Sequence, residues 1–312
     1  MEIVVQIENL VKYYGDIPAL LGVTFSVRRG EAVAYLGPNG SGKTTTIKIM
    51  LGLLRPTSGH VEVLGVDVTR EPDRIRGRIG YVQQLPSLEL NLSVEKNLEL
   101  YARLRGIPRH VIKRKVSRVL EELGLSELRQ VPVSELSLGQ RRLVQIAREL
   151  VCENELLVLD EPTTGLDPVA RRIVLEKIRE YAKEHQATVF LTSHIPQDIE
   201  LLCKRVLLLV KGKLRADMSI EEFKQAFGGL RKIIARLSHI DNRLIKHVQD
   251  LGLPYDVHDS SLVLYADSRR IDFPNLIQTL IELCRRAEVE ILDLNVQEPS
   301  MEDAIVRAYT SL

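Results

Sequence analysis

The stretch GPNGSGKTT, residues 37 to 45, constrains this chain more than any other feature. It matches the pattern G-x-x-x-x-G-K-[ST] at Gly37, Gly42, Lys43 and Thr44, and Pro38, Asn39, Gly40, Ser41 and Thr45 complete the turn. Glycines let a backbone curl until successive N–H groups converge on one point, which makes a receptor for anions. The flanks supply the context such a loop needs. EAVAYL reads as a buried strand before it, and TTTIKIMLGLL as a helix after it. The helix N-terminus adds its own partial positive charge. In this setting Lys43 is placed to meet the β- and γ-phosphates of a nucleotide, and the Thr44 hydroxyl to ligate Mg²⁺.

ELLVLDEP supplies a second element. Leu156 to Leu159 read as a fully buried strand ending at Asp160, on the edge where ligands bind in open α/β sheets. An aspartate there can hold Mg²⁺ through water, and Glu161 is close enough to polarise an attacking water. Alone, an acidic pair after an apolar strand is more often a cap or a turn. The phosphate loop tips the balance.

Strand-like segments alternate with helical patterns up to residue 217, as in EAVAYLG, LLVLDEP and ATVFLTS. That alternation predicts an α/β domain over residues 1–217, a mostly parallel sheet covered by helices. Between about 87 and 150 helical periodicity replaces the strands, so an α-helical subdomain is inserted there. MSIEEFKQAFGG then reads as a capped helix and linker over 218–230, ending in Gly228 and Gly229. Residues 231–312 change rhythm. Their segments follow the order βαββαβ, which predicts a small α+β, ferredoxin-like C-terminal domain.

SELSLGQRRLVQIAREL, residues 134 to 150, reads as the start of a helix, with Ser137 and Gln140 at capping-box spacing. Leu143, Ile146, Ala147 and Leu150 recur at helical intervals, and the arginines fall between them. Gly139 is the oddity, because glycine in the first turn costs roughly 1 kcal/mol against alanine.

These elements together resemble the ATP-binding subunits of ABC transporters, over about the first two-thirds of the chain. LSLGQ at 136 to 140 is similar to that family's signature, usually LSGGQ, with Leu138 in place of a glycine. The resemblance implies a P-loop, ABC-type nucleotide-binding domain. It implies that Ser137, Leu138, Gly139 and Gln140 complete the ATP site of a second subunit, where a bare helix N-terminus serves as an anion receptor. A glycine at 139 would permit close approach to the γ-phosphate, while the larger Leu138 side chain bears on turnover. The resemblance further implies that Tyr14, in KYYG, stacks on adenine. Gln84, in GYVQQ, would sense Mg²⁺ and the membrane partner, with Gln83 standing where many relatives carry proline. Asp167, in GLDP, would lie at the subunit junction, although an N-cap before Pro168 explains it locally as well. His194, in TSHIPQD, would contact the γ-phosphate.

Taken as a whole, the resemblance implies ATP hydrolysis by a head-to-tail homodimer. Lys43, Mg²⁺, His194 and the partner's signature would surround the γ-phosphate while Glu161 handles the water. Closure would drive an integral membrane permease, with the subunit cytoplasmic and peripheral on the inner face of the cell membrane. QEPSMEDAIVRAY, residues 297 to 309, resembles a tail of the drug- and antibiotic-export branch, which points to export; locally it is a capped amphipathic helix.

Composition bounds the alternatives. With 312 residues, 45% hydrophobic and 27% charged, the chain folds and has room for two domains. Cys152, Cys203 and Cys284 form no CxxC pair and read as reduced core residues. MEIVVQIENL lacks the pattern of a signal peptide, and apolar runs such as VLLLV are too short to span a bilayer. A net charge of +1 carries no global footprint of a nucleic-acid binder, so no nucleic-acid partner is expected. Two rivals stand beside the main reading. One is an ATPase of this superfamily acting on nucleic acid, for which only the basic run RLRGIPRHVIKRKVSR speaks; such runs are mostly solvated helix faces. The other is a nucleotide-gated interaction module with little turnover, prompted by Leu138.

Overall fold

The computed structural model describes residues 2–84, 87–267 and 271–310. The chain divides into two compact units, Met1–Ile220 and Glu221–Leu312.

The first unit opens with β1 (Ile3–Tyr14), β2 (Ile17–Arg28), β3 (Ala32–Leu36), α1 (Lys43–Met50), β4 (Ser58–Val63), β5 (Val66–Asp67), α2 (Asp73–Arg76) and β6 (Ile79–Val82). Three longer helices come next, α3 (Val94–Leu104), α4 (Arg109–Glu122) and α5 (Leu138–Leu150). The unit continues through β7 (Leu156–Asp160), α6 (Pro168–Glu184), β8 (Thr188–Thr192), α7 (Pro196–Leu202), β9 (Arg205–Val210) and β10 (Lys213–Ser219). Six of these strands make one sheet in the order β10-β9-β3-β8-β7-β6, parallel except for the β9–β10 hairpin. β7 and β8 are buried at every residue, as strands covered on both faces must be, which is why they read as unbroken apolar runs.

The unit holds a second sheet that periodicity did not single out. β2-β1-β4-β5 form an antiparallel layer whose first strand pair carries several register shifts. Those irregularities break the simple alternation by which a half-buried strand is recognised. Phe25 of this layer meets Tyr35 and Phe190 of the parallel sheet, with ring centroids 5.7 and 6.0 Å away, so one core joins both. The helical subdomain has a core of its own, built on Val94, Leu98, Val116, Leu120 and Val144. β10 runs through Met218 and Ser219, two residues past the boundary drawn from sequence, because both pair with β9.

α8 (Ile220–Phe227) leads into the second unit. After it come β11 (Arg231–Leu237), α9 (Asn242–Asp250), β12 (Tyr255–His258), β13 (Ser261–Ala266), α10 (Phe273–Arg286), β14 (Ile291–Gln297) and α11 (Met301–Thr310). The strands pair in the order β12-β13-β11-β14, every neighbour antiparallel. α9 and α10 contribute Leu244, Val248, Leu276 and Leu280 to a core with Ile233, Leu262 and Leu264. Ser300 accepts a hydrogen bond from the Asp303 N–H at 3.0 Å and caps α11.

Candidate functional site

In the parallel sheet β3, β8 and β7 are neighbours, so the residues leaving their C-terminal ends meet above one edge. A cleft of about 230 Å³ opens there, lined by Ala19, Asn39 to Thr45, Gln84, Asp160 and Glu161. Gly42 is the N-cap of α1 at φ +109°, and a Cβ on it would lie 2.7 Å from the Ala19 carbonyl oxygen. Only glycine satisfies both conditions. The Lys43 ammonium donates to the carbonyl oxygens of Gly37 and Pro38, at 2.6 and 3.2 Å. Burial pulls its pKa down, and the charges of Glu161 and Asp160 oppose that shift.

The acidic pair is held by a residue that sequence reasoning missed. Thr192, the last residue of β8, lies beside Asp160 in register and donates its hydroxyl to Asp160 Oδ1 at 2.5 Å. The same hydroxyl and the Thr192 carbonyl accept from the Glu161 N–H at 3.2 and 3.0 Å. Glu161 takes φ +49°, a left-handed conformation that costs a residue other than glycine about 1–3 kcal/mol. Its carboxylate is a meeting point. His194 Nε2 lies 3.1 Å from Glu161 Oε1, and Gln84 Nε2 lies 3.5 Å from Oε2. A polar residue directly after the apolar run Val189 to Leu191 was the available sign for Thr192.

Tyr14 is half-exposed, with its hydroxyl 3.4 Å from Thr45 Oγ1 and the Lys12 ammonium 5.3 Å from its ring centroid. Asp167 caps α6, accepting from the Val169 and Ala170 N–H groups at 3.0 Å, with Pro168 in the first turn. Ser137 and Gln140 form the reciprocal capping box, with bonds of 2.9 and 3.2 Å. The residues from Ser137 to Gln140 do not line the cleft, and Leu138 is 75% exposed. Gly139 also has a reason within the chain. A Cβ there would lie 3.3 Å from the Gly165 carbonyl oxygen in the GLDP loop, closer than side chains comfortably approach.

The arginines of α5 differ in burial. Arg142, placed between the apolar positions by sequence, is 3% exposed and shares a buried polar stripe with Gln145 and Glu149. Its guanidinium donates to the Gln83 carbonyl oxygen at 2.6 Å and to that of Gln84. The recurrence of polar residues at 142, 145 and 149 was legible as a helical face, but apolar periodicity drew attention to the other faces.

The family described as ABC transporter matches residues 20–164. The linearmycin resistance ATP-binding protein LnrL of Bacillus subtilis (strain 168) is 31% identical over 95% of this chain and 95% of that protein. The chain belongs to the ABC transporter family. The bacitracin transport ATP-binding protein BcrA of Bacillus licheniformis is 32% identical over 98% of this chain and 97% of its own length. Among solved structures, an ABC transporter ATP-binding subunit covers 72% of the chain with a TM-score of 0.67 and 31% identity. CbiO1 of Clostridium perfringens, part of an ABC transporter complex, covers 71% with a TM-score of 0.64 and 32% identity. The first unit thus has the α/β fold of an ABC ATPase, and the chain is an ATP-binding subunit whose ATPase activity powers a transporter.

Proposed function

We propose that two copies of this subunit assemble head to tail, clamp ATP between them, hydrolyse it to ADP and phosphate, and so drive an exporter through an integral membrane permease. The observation that carries this reading is the convergence of Lys43, Thr44, Gln84, Asp160 and Glu161 on one cleft, with His194 beside Glu161. The backbone from Gly37 to Thr45, including Pro38, Asn39, Gly40 and Ser41, would cradle the phosphates, and Tyr14 would stack on the adenine. Lys43 would offset charge on the β- and γ-phosphates. Thr44, Gln84 and Asp160 offer a hydroxyl, an amide and one carboxylate in the same cleft. Such hard oxygen donors suit Mg²⁺, which takes its other ligands from water and phosphate. When bound, the ion would spread the charge developing on the transferred phosphoryl group.

Glu161 would orient the attacking water and accept its proton, and His194 would donate to the γ-phosphate. Ser137, Leu138, Gly139 and Gln140 would close over the partner's nucleotide, with Asp167 near the subunit junction. The domain division 1–217, 218–230 and 231–312 then acquires a meaning. The first part does the chemistry, and the strand order of the last fits a ferredoxin-like accessory domain. Full-length similarity to proteins named for linearmycin resistance and bacitracin transport supports export. No helix among the described residues is long and apolar enough to cross a membrane, and the permease would hold the subunit peripherally at the inner, cytoplasmic face.

Hydrolysis assays on the purified full chain test this. Glu161→Gln is expected to slow turnover by about 10²–10⁴-fold while ATP affinity is kept, general-base catalysis being worth that much. Light scattering in ATP should then show that variant accumulating as a dimer. Equal rates for wild type and Glu161→Gln would remove the hydrolytic reading.

A further inference from the structure

Neither Arg142 nor Gln145 has a part in the hydrolytic cycle just proposed, although both lie on the helix that begins with the signature. Both are buried, Arg142 at 3% and Gln145 at 0% exposure. The Arg142 guanidinium donates through Nη1 to the Gln83 carbonyl oxygen at 2.6 Å and to Gln145 Oε1 at 2.8 Å, and through Nη2 to the Gln84 carbonyl oxygen. Gln145 Nε2 donates to the Gln83 carbonyl oxygen at 3.1 Å. Two side chains of α5 therefore hold two successive carbonyls of the segment that carries Gln84. The side chain of Gln84, in turn, lies 3.5 Å from the Glu161 carboxylate.

This arrangement is an expensive way to pack a helix. A buried cation costs several kcal/mol unless it is well bonded, and apolar side chains of like volume would fill the space at less cost. Burial pulls the Arg142 pKa down, while Asp160 and Glu161 favour its charged form, so the cation belongs electrostatically to the cleft. The planar guanidinium fork presents its donors to two neighbouring carbonyls and to Gln145 from fixed positions, a geometry that the compact ammonium on its flexible stem does not reproduce.

We propose that Arg142 and Gln145 are positioning residues that make α5 and the Gln84 segment move as one piece. Gln84 then stands at Glu161 in its own site only when the signature stands ready for the partner's site. The clamp carries information between the two nucleotides of the dimer. This rests on head-to-tail assembly.

The test compares the full-length wild type, Arg142→Lys and Gln145→Leu. Arg142→Lys keeps the charge and loses the fork. Its kcat is expected to fall about ten-fold or more with KM for ATP within about two-fold, the split of an interaction that acts in the transition state. Its Hill coefficient for ATP should fall toward one. Gln145→Leu should show a smaller loss in the same pattern. The double variant should be little worse than Arg142→Lys, because the two side chains bond each other and share the Gln83 carbonyl. Turnover and Hill coefficient both at wild-type level in the two single variants would overturn the proposal, as would a kcat loss matched by an equal loss of ATP affinity. If Arg142→Lys fails to fold, as judged by circular dichroism, Gln145→Leu alone decides by the same readouts. Failure of the parent reading looks different, since Glu161→Gln would then stay a monomer in ATP by light scattering or hydrolyse ATP like the wild type.

Discussion

The two units bury different kinds of interior. Among the described residues every buried polar or charged side chain lies in the first unit, Thr46, Arg142, Asp160, Thr192 and Asp198 among them. The core of the second unit, from Ile233 to Val289 and on to Ala308, is apolar throughout. Buried polar groups weaken a fold unless they are hydrogen-bonded, and several of those in the first unit bond to elements around the cleft. The Thr46 hydroxyl donates to the Gly42 carbonyl at the phosphate loop. Asp198 accepts from Thr163 and Ser193, one in the segment after Glu161 and the other next to His194. Burial nonetheless raises the Asp198 pKa above the usual carboxylate range. The first unit gives up stability to fix positions. The second has an interior without such groups among the described residues.

The largest effect that could break this contrast is in the second unit. Leu280, fully buried on α10, touches the centre of its core. Leu280→Ala is expected to destabilise that unit by about 2–5 kcal/mol, measured by denaturant titration with circular dichroism. Nucleotide affinity of the chain should stay within about two-fold, because nothing lining the cleft belongs to that unit. An affinity that falls in step with stability would refute the division of labour.

A smaller effect sharpens the contrast from the other side. Thr192→Val keeps the shape of β8 and removes the hydroxyl that serves Asp160 and Glu161. Leaving those buried groups short of a partner costs about 1–3 kcal/mol of stability. Because the hydroxyl sets the acidic pair, hydrolysis should also slow, by about ten-fold. A comparably mild change in the apolar second core should leave the rate alone. Wild-type hydrolysis by Thr192→Val would mean that the bond is only structural.

How far all this was legible depends on the range over which each feature is written. The phosphate loop, the pair Asp160 and Glu161, the capping box at Ser137 and the cap at Asp167 are local, and each was readable because neighbouring residues specify it. The succession of strands and helices after residue 230 was readable for the same reason, each segment having one period and a turn to close it. Thr192 and Arg142 act across 31 or more residues, and nothing near them in the chain names their partners. Arg142 was also hidden by its own helix, since apolar periodicity treats a buried polar stripe as surface. Gly139 shows an intermediate case. Its cost was visible, but its contact with Gly165 waited for the fold.

The same contrast recurs within one strand, at the two ends of β7, and yields the smallest effect. Asp160 closes the strand at the cleft, whereas Glu155, just before its start, is a structural carboxylate. Arg78 and Arg29 hold it, with Arg78 Nη2 at 3.1 Å and Arg29 Nη2 at 2.9 Å from its Oε2. The Arg78 hydrogen bond, helped by Arg29 against partial burial, lowers the Glu155 pKa from 4.5 to about 2. A carboxylate depressed in the folded state adds stability above its unfolded value, and that stability is lost as pH falls through the folded one. Since the group is one-third exposed, water screens the pair and the contribution at neutral pH is about 1 kcal/mol. Glu155→Gln should therefore be less stable than the wild type by that amount at pH 7, and the gap should close between pH 4.5 and about 2. Hydrolysis at pH 7 should not change, because Glu155 stands at the end of the strand away from the cleft. A stability gap that persists unaltered at pH 2 would mean that shape rather than charge keeps a glutamate there.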